Sequence, residues 1–338
     1  MLLTLGILTA FISFFICRWI RDRSEDWGLI DIPNQRSSHE RPTPKGGGIG
    51  IVIAMVIALS LTHILVLPLP SAYGVILCGA MLMALLGFFS DRRPLSPFLR
   101  LGIQGLIAIG VLAGLDFPRD LLIVYRWHIG VLSWPLGVIW LVAVTNFYNF
   151  MDGIDGLAAM QAVAGGVGLM SFGILLSVNP LVPAGLYLSA ASLGFLVWNF
   201  IPRKIFMGDV GSYFIGFYLA AFGMLDPRLL VPVALVLGVF IADTVVTLFI
   251  RISRRERWYQ AHRSHFYQRA VRLGYSHCRV TGFLSVVFLV LTILAGFYIR
   301  NGELVQIMVL GLAVMILFAS ALWVVAMERE RRRDSAES

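Results

Sequence analysis

Residues 130–177, GVLSWPLGVIWLVAVTNFYNFMDGIDGLAAMQAVAGGVGLMSFGILLS, decide the fold. A membrane-spanning helix needs about 20 mostly apolar residues. The runs 130–149 and 157–177 both meet that length; two Asn end the first, and a short turn bearing two Asp separates them. The same alternation fills the chain. Further apolar runs lie at about 2–20, 47–67, 71–89, 101–115, 181–200, 212–225, 229–250, 281–299 and 304–327. The expectation is an all-α integral membrane protein, a polytopic bundle of about 11 transmembrane helices. Those at 101–115 and 212–225 are short for the task, and read as tilted, extended or partly re-entrant.

Composition agrees. The chain is 58% hydrophobic and 14% charged, whereas a soluble domain is nearer a quarter charged. No linker or low-complexity tract divides it, so 1–327 reads as a single transmembrane catalytic domain and 328–338 as a cytoplasmic tail ending a solvated helix. The first span has its arginines behind it and lacks a basic n-region and a small-residue cleavage site, so it reads as a retained helix. Cys17, Cys78 and Cys278 show no metal-ligand spacing.

Five polar patches interrupt the apolar runs: Asp31–Gly48, Ser90–Arg100, Asn146–Gly156, Arg203–Ser212 and Arg251–Arg279. All but Arg119, Arg126, Arg228 and Arg300 of the 27 Lys+Arg lie at these patches, at the ends of the helices flanking them, or in the C-terminal tail. Loops rich in Lys and Arg face the cytoplasm. The patches and the C-terminus are therefore expected to be cytoplasmic, and the N-terminus outside. The net charge of +8 reads as topology and headgroup attraction. Without a basic folded domain, no nucleic-acid partner is expected.

The patches carry chemistry. In NFYNFMDGIDGLA, Asn146, Asn149, Asp152 and Asp155 recur every third residue. Neighbours at i,i+3 share a helix face, and Gly153 and Gly156 break the helix, so oxygens from this end can project into one cavity. In IFMGDVGS, Asp209 lies between Gly208 and Gly211, which allow close backbone approach to a ligand at the start of an apolar helix. A Mg²⁺ held by Asp209 and an Asn or Asp of the first patch would suit a pyrophosphate. In AHRSHFYQR, His262, Arg263 and His265 can meet phosphates, the two histidines on one face if the segment is helical. Asp91 ends a helix before Arg92 and Arg93. Lys45, before Gly46-Gly47-Gly48, resembles a loose phosphate cradle of backbone N–H groups. Asp243, inside the ninth span, is an intramembrane acid of open role.

Together these motifs resemble the polyprenyl-phosphate N-acetylhexosamine-1-phosphate transferases (glycosyltransferase family 4), from Asp31 to Arg269 and in the family's motif order. NFYNFMDGIDGLA and FMGDVGS carry the resemblance most specifically. It implies transfer of a sugar-1-phosphate from a UDP-sugar to undecaprenyl phosphate at the cytoplasmic face of the bacterial inner membrane, with Mg²⁺ (or Mn²⁺) and release of UMP. By motif match, Asn149 and Asp209 hold the metal, and Asp152 and Asp155 line the same cavity. Phe206 falls near the uracil, and His262 and His265 help hold the diphosphate. Lys45, Asn146 and Arg263 complete the expected substrate-binding set, and Asp91, Asp152 and Asp155 the catalytic one. The family's usual Asp-Asp pair is here Ser90-Asp91, and Ser90 is a poor base. Either Asp91 does that work or no base is needed, since a phosphate monoester is largely a dianion at pH 7.

HRSHFYQR is similar to the O-antigen and surface-polysaccharide initiators, which implies UDP-GlcNAc or a deoxy analogue (UDP-FucNAc, UDP-QuiNAc) as donor. The alternative is a phospho-MurNAc-pentapeptide transferase of peptidoglycan synthesis. A secondary transporter is the rival from another class, and it would place acids near the midplane. The sequence leaves open a homodimer and the choice between direct displacement and a covalent step on Asp91 or Asp152.

Overall fold

The computed structural model describes residues 1–33, 42–93, 95–117, 122–123, 127–128, 130–200, 204–257 and 262–337. The helices are α1 (Leu2–Arg23), α2 (Gly48–Leu65), α3 (Ser71–Arg92), α4 (Pro97–Gly114), α5 (Ser133–Phe150), α6 (Leu157–Leu175), α7 (Leu181–Asn199), α8 (Gly208–Leu225), α9 (Pro227–Val236), α10 (Gly238–Ser253), α11 (Phe266–Arg272), α12 (His277–Arg300) and α13 (Glu303–Glu337). Among the described residues, ten helical segments are long and apolar enough to cross a membrane, or eleven if the bent pair α9 and α10 counts as one span. Among the described residues, strand structure is confined to two pairs of two-residue strands; in one, β1 (Ile30–Asp31) pairs antiparallel with β2 (Thr43–Pro44).

Both short spans prove full-length because they start earlier than their apolar runs. Ser96 caps α4 by accepting from the Leu99 N–H, with Pro97 at the first helical position, a favoured start. The α8 helix begins at Gly208 and so includes the polar Asp209 and Ser212.

The ninth span departs from expectation. It is two helices meeting at a 73° bend at Leu237. Pro232 lies within the first half, where it removes one ladder hydrogen bond. The break exposes the Val236 carbonyl inside the bundle, and the buried Gln161 of α6 satisfies it through Nε2 at 3.0 Å. An unpaired carbonyl there would be costly, so the pairing explains a glutamine in an apolar span.

The α8 helix runs buried through the middle, packed on α2, α3, α5 and α9. The ends of its neighbours gather around its N-terminus, so the polar patches share one end of the bundle. The close packing needs glycine. A Cβ on Gly48 of α2 would overlap Gly211 Cα of α8, and one on Gly211 would come within 2.7 Å of Gly48 Cα. The α1, α4, α5 and α13 helices keep much of their surface outward. Those outward residues include Phe11, Leu106, Ile139 and Phe318, as expected of faces turned to lipid.

Candidate active site

Three helix ends make the centre of the site. Asp209, in the first turn of α8, accepts from Asn149 Nδ2 at the end of α5 (2.8 Å) and from Ser90 Oγ at the end of α3 (2.8 Å). Asn149 Nδ2 also donates to Ser212 Oγ at 2.9 Å. Asp91, one residue on from Ser90, is buried and reaches beneath the start of α8, where Oδ2 accepts from the Val210 N–H at 3.2 Å. Its other oxygen lies 3.6 Å from Lys45 Nζ. Gly208, at φ +76°, makes this possible, because a Cβ there would sit 2.6 Å from Asp91 Oδ2. Asp91 therefore occupies the anion position at this helix N-terminus.

Lys45 arrives with an ordered backbone. Phe206 N–H donates to the Pro44 carbonyl, and Gly47 and Gly48 N–H donate to the Phe206 and Met207 carbonyls, at 2.8, 2.9 and 2.9 Å. This corrects the cradle reading: these N–H groups join the 44–48 segment to the 206–207 segment instead of facing a phosphate. Gly208 and Gly211 also serve packing, against Asp91 and Gly48, and Gly208 lines the cavity as well.

These residues enclose a polar cavity of about 370 Å³ lined by Lys45, Ser90, Asp91, Asn149, Asp152, Phe206 and Asp209, together with Asp31 and Asn199. Two members of the NFYNFMDGIDGLA patch lie elsewhere. Asn146, nearly one turn back on α5, donates to Gln104 Oε1 and the Val142 carbonyl, both at 2.7 Å. Asp155 turns to α12, where its carboxylate lies 2.9 Å from His277 Nδ1 and its carbonyl accepts from Thr281 Oγ1 at 2.8 Å. The reason is the end of α5 at Phe150: beyond it the three-residue spacing no longer defines a face.

Arg100 and Asn199, outside the sequence-derived set, also belong to the site. Arg100, in the first turn of α4, lies 3.5 Å from Asp209 Oδ2 and donates to Tyr213 Oη at 3.0 Å. A guanidinium at the start of an apolar span was the signal. Asn199 accepts from the Gly156 N–H (2.8 Å) and donates to the Ile205 carbonyl (3.0 Å), tying the Asp152 turn to the segment that presents Phe206.

The histidine segment lies beside the cavity, behind the Asp152 turn. Residues 262–265 are not helical, yet the His262 and His265 rings lie side by side, centroids 4.9 Å apart and planes tilted by 31°. His265 Nδ1 is 2.8 Å from Asp243 Oδ1. The same carboxylate accepts from the N–H groups of Phe266 (3.1 Å) and Tyr267 (3.3 Å) and from Thr247 Oγ1 (3.1 Å). Asp243 thus caps α11 from α10 and holds His265, which answers its open role. Tyr267 Oη donates to the Phe150 carbonyl at 2.9 Å, docking α11 on the Asp152 turn. Arg263 is half-buried in the same segment.

Charge in the cavity is lopsided. Asp31, Asp91, Asp152 and Asp209 line it against Lys45, with Arg100 alongside Asp209. Burial, then the Asp209, Asp91 and Asp155 carboxylates, hold the Asp152 carboxyl well above the usual carboxylate range. Burial, then His265 and Arg251, push His262 down to about 4, so it is neutral near pH 7. The oxygen-rich donor set fits a hard divalent cation. Among the described residues no three His, Cys, Asp or Glu side chains form a closed metal site. Mg²⁺ takes one or two carboxylates plus substrate phosphate and water, and Asn149, with Nδ2 spent on Asp209 and Ser212, has Oδ1 to offer.

The family model for glycosyl transferase family 4 matches residues 73–225, a stretch that holds Ser90, Asp91, Asn149, Asp152 and Asp209. A "probable undecaprenyl-phosphate N-acetylglucosaminyl 1-phosphate transferase" of Bacillus subtilis (strain 168) is 32% identical over 264 residues, covering 74% of this chain and 72% of that protein. A decaprenyl-phosphate N-acetylglucosaminephosphotransferase of Mycolicibacterium smegmatis is 30% identical over 312 residues, covering 81% and 76%. A phospho-N-acetylmuramoyl-pentapeptide-transferase of Streptococcus pneumoniae (strain Taiwan19F-14) is 33% identical over 238 residues, covering 66% and 70%. On these matches, and with the motif residues gathered at one end of a polytopic bundle, the chain belongs to glycosyl transferase family 4 and is a phospho-sugar transferase.

Proposed function

We propose that the chain transfers an N-acetylhexosamine 1-phosphate from a UDP-sugar to undecaprenyl phosphate at the cytoplasmic face of the bacterial inner membrane, releasing UMP and initiating a surface polysaccharide. The observation that carries this is the Ser90–Asp209–Asn149 cluster at the membrane end of the bundle. There, a lipid tail can stay in the bilayer while its phosphate meets a soluble nucleotide. Distribution of Lys and Arg supports the orientation. The donor read from HRSHFYQR is UDP-GlcNAc or a deoxy analogue, and two of the relatives above are named for N-acetylglucosamine transfer.

Asn149 and Asp209 would hold Mg²⁺ or Mn²⁺, which when bound supplies charge neutralisation at the diphosphate. Ser90 and Arg100 hold the Asp209 carboxylate in place from two sides. Lys45 faces the cavity as a point cation for phosphate. His262, Arg263 and His265 flank the diphosphate, and Phe206 faces the uracil. An oxygen of the lipid phosphate attacks the β-phosphorus of the donor; the new P–O bond forms as the bond to the α-phosphate oxygen breaks, and UMP leaves with that oxygen. Positioning and electrostatics supply most of the acceleration in such transfers. Ser90 donates to Asp209, so it serves as an orienting group rather than a base.

The test incubates purified protein with undecaprenyl phosphate, Mg²⁺ and a panel of UDP-sugars and follows UMP. Release with UDP-GlcNAc or its deoxy analogues, dependent on the lipid, is expected. Release only with UDP-MurNAc-pentapeptide would move the chain to the peptidoglycan branch. Lipid-independent release would contradict the transfer itself.

A further inference from the structure

Behind α11 lie two adjoining cavities that share no residue with the catalytic one. The larger, about 640 Å³, runs between α10, α12 and α13 and is walled by apolar side chains such as Val246, Phe283, Leu317 and Phe318. The smaller, about 260 Å³, is lined by Arg279, Glu330 and Arg331. Tyr275 and Arg279 line both, so an apolar chamber opens onto a basic mouth. The mouth lies at the polar end of the bundle, by the N-terminus of α12 and the C-terminal part of α13. Latches hold α13 there: Arg269 makes a two-pronged pair with Glu328 (2.8 and 2.6 Å), and Arg331 donates to the Arg272 carbonyl at 3.1 Å. Trp323 packs on Tyr275 and Phe283, with centroids 5.1 and 5.6 Å away, where the chamber meets the mouth.

We infer that this is a binding site for an anionic phospholipid, with its phosphate at Arg279 and Arg331 and an acyl chain in the apolar chamber. Charge and shape argue together. Guanidinium groups match phosphate geometry, and basic pockets between spans on the cytoplasmic side suit anionic headgroups. The two arginines outweigh Glu330 at the mouth. A free anion would leave the apolar chamber unused. The reacting acceptor lipid fits poorly, because a phosphate held here meets none of the catalytic carboxylates. The inner wall includes Phe266 and Tyr267, and Tyr267 is bonded to the Phe150 carbonyl. A lipid in this chamber braces α11 against the Asp152 turn.

The test is native mass spectrometry on delipidated wild-type protein, the R279Q/R331Q variant and Ala321→Trp, which fills the chamber. Each is titrated with phosphatidylglycerol, phosphatidylcholine, undecaprenyl phosphate and inorganic phosphate. Wild type should prefer phosphatidylglycerol over phosphatidylcholine roughly tenfold. R279Q/R331Q should lose that preference, Ala321→Trp should lose both lipids, and inorganic phosphate should not compete. Equal binding of the two phospholipids by wild type, unchanged binding in both variants, or competition by inorganic phosphate would overturn the proposal. So would undecaprenyl phosphate displacing phosphatidylglycerol one for one, together with a raised acceptor KM in R279Q/R331Q; that result would make the chamber an acceptor site. None of these outcomes bears on the metal assignment, so the two readings fail separately.

Discussion

Asp243 Oδ1 lies 2.8 Å from His265 Nδ1, and this one contact ties the histidine segment to the broken ninth span. A carboxylate accepts and does not donate. With Nδ1 donating to it, Nε2 is the nitrogen His265 would offer the proposed diphosphate. The bend at Leu237 redirects α10, which carries Asp243 to the start of α11.

Asp243→Asn should act through His265. We expect donor KM to rise about tenfold with a smaller change in kcat. Asp243→Asn and His265→Ala should be non-additive, with a coupling of about 1–3 kcal/mol. Kinetics of the double-mutant cycle decide this; full additivity would leave Asp243 a purely structural cap. Asp243→Ala should also destabilise, since it strips the acceptor from buried N–H groups at about 1–3 kcal/mol each.

Ser90→Ala should cost less than Asp209→Asn. Loss of one hydrogen bond to Asp209 is expected to reduce kcat/KM by about tenfold. Loss of the carboxylate itself should reduce it by at least ~100-fold. Equal effects would assign Ser90 a direct chemical role.

Gly48→Ala should disrupt the crossing of α2 and α8, because its Cβ would overlap Gly211 Cα. Overpacking of this kind costs about 1–3 kcal/mol, read as a lower Tm, with weaker donor binding as the 206–207 segment is displaced. Gly282→Ala is the control, since no atom lies within 4 Å of its added Cβ. A Gly48→Ala protein as stable as that control would refute the close packing.

His262 gives a pH signature. Its folded value of about 4 lies below the ordinary value of 6.5. Between those limits the unfolded chain binds more protons, so stability falls as pH drops from 6.5 toward 4. Above 6.5 this contribution is constant. The His262→Ala protein should show a flatter Tm-against-pH curve in that window. An unchanged slope would place His262 in a more solvated setting.

Much of this was legible in the sequence because each apolar run and each polar patch is locally encoded. The runs place the ten candidate spans and the bent α9–α10 pair, and Asn149, Asp152 and Asp209 do meet at one cavity. What escaped depends on contacts remote in sequence. Asp155 reads like Asp152 until α5 ends at Phe150 and hands it to His277. Arg100 and Asn199 each sit singly at a helix end, and only the packing of α8 and of the 156 turn shows what they hold. Gly46-Gly47-Gly48 reads as a phosphate loop, although the Gly47 and Gly48 N–H groups are spent on the Phe206 and Met207 carbonyls. The bend at Leu237 is visible only once Gln161 is found serving the Val236 carbonyl.

The central claim is that Asn149 and Asp209 hold one divalent cation in the cavity between α3, α5 and α8. Mn²⁺ binding to purified protein in the presence of UDP, followed by electron paramagnetic resonance, tests it most directly. The account predicts a single bound Mn²⁺ in the wild type, abolished in Asp209→Asn while the helical circular dichroism is kept. Mn²⁺ bound with unchanged affinity by Asp209→Asn would contradict it.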